Sequence, residues 1–101
     1  MSGPLHPGQG ARFLLERRSV APDQASATYR AAIITPDQRH ELDAVLHLDG
    51  AAELTPIGPP PPANLMSRLT AHARQAARAA ERRRADQLPP WPHRILRWRD
   101  T

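Results

Sequence analysis

Three turn-forming clusters at near-regular intervals constrain this chain more than any other feature. Pro22-Asp23-Gln24, Pro36-Asp37-Gln38 and Asp49-Gly50 follow one another at spacings of about 14 and 13 residues. Proline presets φ at the first central position of a turn, and an aspartate side chain accepts from backbone N–H groups just ahead of it. Each Pro-Asp pair therefore reverses the chain by a definite mechanism. Turns at this spacing predict a β-meander.

The segments between the turns alternate with the period of a strand that has one wet face. From Glu41 to Asp49, Leu42, Ala44, Leu46 and Leu48 fall on one side and Glu41, Asp43, His47 and Asp49 on the other. Thr28–Ile34 sets Tyr29, Ala31 and Ile33 against Thr28, Arg30, Ala32 and Ile34, and Arg12–Val20 sets Phe13 and Leu15 against Leu14, Glu16 and Arg18. After Leu48, a three-residue loop Asp49-Gly50-Ala51 would pair Leu48 with Ala52 and Leu46 with Leu54, which keeps the apolar face continuous. Pro56 lacks a backbone donor, so the Ala51–Ile57 segment is expected at a sheet edge and to stop near Ile57.

Gly58-Pro59-Pro60-Pro61-Pro62 reads as a stiff spacer in polyproline geometry, about 3 Å per residue. The chain then turns helical over 63–87, with Asn64 as the expected N-cap and Leu88-Pro89-Pro90 as the stop. Leu65, Leu69, His72/Ala73, Ala76 and Ala80 form its apolar stripe, which thins from leucine to alanine. The first half is expected to pack on the sheet and the arginine-rich second half to project beyond it. Residues 89–101 form a basic tail holding both tryptophans, and His93–Arg99 reads either as a final short strand or as an open basic-aromatic segment. Residues 1–11 are read as a disordered arm, leaving one small domain over 12–88.

Composition bounds what such a fold can hold. Hydrophobic residues make up 40% of the 101, but 17 of them are alanine, so the core is thin. The absence of cysteine excludes disulfides, thiol catalysis and thiolate metal sites. No segment approaches the ~18 consecutive apolar residues of a membrane span, and Met1–Gly10 lacks the order of a secretory signal, so a cytoplasmic location with no membrane partner is expected. All 14 basic side chains are arginine, and they are unevenly spread. Residues 1–62 hold 5 arginines against 7 acids, and residues 63–101 hold 9 against 3, so a net −2 region is joined to a net +6 region.

Chemistry-bearing patterns are sparse. The chain contains no glycine-rich phosphate loop, no G-x-S-x-G elbow and no H-E-x-x-H, so neither an enzyme nor a cofactor or small-molecule substrate is expected. Glu41, Asp43, His47 and Asp49 share a strand face, but alternate residues there lie about 6.5–7 Å apart and no second cluster converges on them, which fits a solvated face better than a metal site. His72 beside the helix stripe reads as a packed or half-exposed imidazole.

The strongest functional signal is Arg74, Arg78 and Arg82 at four-residue spacing, followed by Arg94 and Arg97 interleaved with Trp91 and Trp98. Trp and Arg dominate protein contact hot spots, and small alanines permit close helix approach. The same residues neutralise phosphates and stack on bases. The sequence thus predicts an α+β domain, an antiparallel meander of three to four strands against one long C-terminal helix. It is expected to act as a non-enzymatic protein-interaction module, binding a partner protein or a second copy through Arg74, Arg78, Arg82, Trp91, Arg94, Arg97 and Trp98. Nucleic-acid binding through this set is the alternative.

Overall fold

The computed structural model describes residues 10–99. The proposed arm therefore lies almost wholly outside the described residues. Ala11, read as part of that arm, is buried and opens the first strand.

The elements follow the order β1 (Ala11–Val20), β2 (Ser26–Ile34), β3 (Arg39–His47), β4 (Ala52–Ile57), α1 (Ala63–Ala85) and β5 (Arg94–Arg99). The strands form one antiparallel sheet in the order β4-β3-β2-β1-β5. The meander is thus as expected, and the tail supplies a fifth strand that returns beside β1. No helix among the described residues is long and apolar enough to cross a membrane.

The turns work through the anticipated side chains, with one exchange of roles. Asp23 accepts from the Ala25 N–H at 2.9 Å, and Asp49 accepts from the Ala51 N–H at 2.8 Å. Between β2 and β3 the threonine does this work instead, Thr35 Oγ1 accepting from the Gln38 N–H at 3.1 Å. The β3–β4 register also departs from expectation, since Leu46 pairs with Ala52 and Ala44 with Leu54. The Leu48 N–H bonds the Ala25 carbonyl at 2.9 Å, prolonging the β2–β3 ladder rather than the β3–β4 one. A shift of two residues leaves every side chain on its own face, so alternation alone does not select between the registers.

The core lies between the sheet and α1. Phe13, Leu15, Tyr29, Ile33, Leu42 and Leu46 from the sheet meet Leu69, Ala73, Ala77 and Ala80 from the helix, all fully or almost fully buried. This corrects the expectation that the second half of the helix projects. Ala31 and Ala44 of the sheet are buried in the same cluster, and small side chains leave room for close packing there. Only the last helical residues, from Glu81 on, are exposed throughout.

The helix ends are also set differently from expectation. Pro62, not Asn64, is the N-cap residue, with no side-chain cap; its carbonyl accepts from Leu65 and Met66. Proline there carries the polyproline geometry of the spacer directly into the helix. At the other end the helix stops at Ala85, and Gln87 adopts a left-handed φ of 60°. Leu88 N–H bonds the Arg83 carbonyl at 2.8 Å and Gln87 N–H bonds that of Arg84 at 3.0 Å, the reciprocal pair of a Schellman motif.

Candidate functional site on strand β5

Trp91 is buried in the main core. Its indole N–H donates to the Gln24 carbonyl at 2.9 Å, and its own carbonyl accepts from Arg17 Nη1 at 2.7 Å. The Tyr29 hydroxyl donates to the Pro92 carbonyl at 2.7 Å, fixing the next residue. Burial pushes the Tyr29 phenol up to about 12, against the pull of Arg17 and Arg83 toward ionisation. At 2% exposure Trp91 is a core residue, so its assignment to the contact surface is withdrawn. Polar groups around it demand partners when desolvated, and the loop carbonyls provide them.

Past Trp91, the chain enters β5 against β1. The Arg17 N–H bonds the His93 carbonyl at 2.8 Å, so 17 and 93 form a hydrogen-bonded pair. In an antiparallel ladder such pairs alternate with non-hydrogen-bonded ones. Ile95, Arg97 and Arg99 therefore direct their backbone groups to β1, whereas Arg94, Leu96 and Trp98 direct theirs outward along the free edge.

The side chains alternate as well. Ile95 joins the main core, while Leu96 packs on a second small cluster of Leu14, Ala32 and Ile34 on the sheet face opposite α1. Trp98 lies on that opposite face too. It pairs with Arg12, whose guanidinium carbon sits 4.0 Å from the indole centroid, and it remains 53% exposed. Non-hydrogen-bonded pairs bring side chains closest, which explains the stacking. Arg12 was not among the residues singled out from the sequence, because only the register reveals its position opposite Trp98.

Arg74, Arg78 and Arg82 occupy the helix face turned away from the sheet, and all three are exposed. The stem of Arg78 lies against Gly50, close enough that a Cβ there would come within 3.2 Å of its Cγ. The structure thus divides the proposed contact set. Arg94 and Trp98 lie on one side of the molecule, the helical arginine stripe lies on the other, and the sheet and helix stand between them. Arg97 falls on the helix side of β5 and turns its Nη1 back to the Leu96 carbonyl at 2.9 Å.

Charge pairing separates the regions further. Arg30 and Arg39 engage Asp43 and Glu41, and His47 meets Glu53 at 2.9 Å. These contacts occupy the strand face read as a solvated one. Arg74, Arg78, Arg82, Arg94 and Arg97 make no ion pair among the described residues. Ala73, Ala77 and Ala80 of α1 are buried against the sheet, whereas Ala63, Ala71 and Ala85 are exposed.

One cavity of about 660 Å³ opens where β3 begins and β4 ends, lined by Arg39, His40, Glu41, Ile57 and Pro59–Pro62. Its arginine already pairs with Glu41 at 3.9 Å. Within the proline spacer Pro61 is buried and Pro59, Pro60 and Pro62 are exposed.

The chain matches no protein-family model, no curated protein and no solved structure.

Proposed function

We propose that the protein is a non-enzymatic, cytoplasmic interaction module that contacts a partner protein through β5, with Trp98 at the centre. The observation carrying this reading is the half-exposed indole of Trp98, held by Arg12 on an edge strand whose Arg94 and Arg97 lack carboxylate partners among the described residues. A large aromatic side chain positioned by a neighbour has little conformational freedom to lose on binding, which is what makes Trp and Arg effective contact centres.

Nucleic-acid binding is the second reading, favoured by the stripe Arg74, Arg78 and Arg82, which makes no ion pair among the described residues. It requires aromatic and basic groups along one track. Here Trp98 and the stripe face opposite ways, and one face of the indole is taken by Arg12.

The test is affinity capture from the protein's own cell extract with two variants. Trp98→Ala with Arg94→Glu is expected to lose the partner that the parent retains, while Arg74→Ala with Arg78→Ala and Arg82→Ala retains it. Capture that depends on the helical stripe alone, or that disappears on nuclease treatment, overturns the proposal.

A further inference from the structure

Building on the reading of β5 as the contact strand, we infer that its free edge receives an extended acidic segment of the partner protein as a sixth strand of the sheet. The two edges of the sheet differ in what they offer. On β4, the His47 N–H bonds the Ala51 carbonyl, which makes 47 and 51 a hydrogen-bonded pair and turns the backbone groups of Ala52, Leu54 and Pro56 outward. Pro56 is thus tolerated because its missing N–H faces away from β3. The same proline denies an incoming strand a donor, as edge prolines do.

Among the described residues the β5 edge has no such block. Arg94, Leu96 and Trp98 each present an outward N–H and carbonyl, and β5 contains three arginines and no acid. Pairing two copies along this edge would set arginines near arginines, and like charges across a ladder are destabilising. An acidic strand reverses that sign. Arg97 guards the edge in the free protein by donating to the outward Leu96 carbonyl. An incoming carboxylate draws the Arg97 guanidinium away, and a backbone N–H of the added strand takes its place on that carbonyl. Strand addition of this kind draws its affinity from main-chain bonds and its selectivity from alternate side chains, here those meeting Arg94, Leu96 and Trp98 on one face.

The probe is a capped synthetic peptide alternating glutamate with valine, added to the full chain at about 1 mM while amide hydrogen exchange is followed by NMR. The Leu96 and Trp98 amides are expected to slow by roughly tenfold or more. A peptide N-methylated at alternate residues, and one with lysine in place of glutamate, are expected to leave them unchanged. Substituting the peptide rather than the protein keeps the test independent of any folding defect. If the acidic peptide shifts the Trp98 side chain without protecting these amides, strand addition is wrong while β5 stands as the contact strand. If no β5 resonance responds, the inference is overturned. Protection that grows with protein concentration alone, without peptide, overturns it in favour of a second copy.

Discussion

Trp98 and Arg12 face one another across β5 and β1, the guanidinium carbon 4.0 Å from the centre of the indole. The contact joins the first strand of the fold to the last, so it holds β5 in place as well as shaping its surface. An exposed cation–π pair contributes about 0.5–1 kcal/mol. A double-mutant cycle with Arg12→Ala and Trp98→Ala, read by urea denaturation, is expected to return a coupling of about that size. Strict additivity of the two substitutions would contradict the stacked arrangement.

The two tryptophans should respond very differently to truncation. Trp91 is buried with its indole N–H bonded to Gln24, and removing a side chain of that kind costs about 3–5 kcal/mol. That is comparable with the whole stability of many small domains, about 5 kcal/mol at the low end. Trp91→Ala is therefore expected to leave the chain largely unfolded by circular dichroism, whereas Trp98→Ala melts cooperatively within a few degrees of the parent. Near-equal losses from the two substitutions would argue against the burial assigned to Trp91.

Tyr29 links stability to alkaline pH. Desolvation by burial raises its pKa from 10.0 to about 12. The folded state thus holds the phenolic proton more tightly than the unfolded chain does. Stability from this group is fully present below pH 10 and declines as pH rises toward 12, by on the order of 1 kcal/mol per unit. Tyr29→Phe loses the bond to the Pro92 carbonyl, about 1–2 kcal/mol at neutral pH, yet its stability should be flatter between pH 10 and 12. Parallel curves for parent and variant over that range, measured by denaturant melts, would contradict the linkage.

Gln87 closes the helix in a conformation that suits glycine better. Its φ of 60° places a side-chain-bearing residue in the left-handed region, where the Cβ is crowded. Gln87→Gly keeps both hydrogen bonds of the Schellman motif and removes that crowding. The variant is expected to gain about 0.5–1 kcal/mol by thermal or urea denaturation, net of the extra flexibility glycine brings to the unfolded chain. A loss of stability would mean that the Gln87 side chain makes a contact of its own.

The parts of the fold legible in the sequence are those decided locally. Pro22, Pro36 and Gly50 mark turns by their own backbone preferences, and the alternation from Leu42 to Leu46 needs no knowledge of what lies opposite. The parts that were not legible depend on partners far along the chain. Periodicity put Ala73 and Ala80 on the helix stripe, but that they and Ala77 are buried in one core with Ala31 and Ala44 depends on what lies opposite the helix. Trp91 lies between prolines and Trp98 between arginines, but neither setting fixes burial; the distant partners Gln24 and Arg17 meet Trp91 inside. The same holds for the contact set. Spacing correctly placed Arg74, Arg78 and Arg82 on one helix face, but the return of β5 beside β1 put Trp98 on the far side from them and brought Arg12 to it.

The most direct measurement places a photo-crosslinking amino acid at position 98 in one variant and at position 78 in another, followed by irradiation in the protein's own cell extract. The expected result is a discrete protein adduct from position 98 and none from position 78. An adduct formed only from position 78, or one at position 98 that carries nucleic acid instead of protein, would contradict β5 as a protein-binding strand.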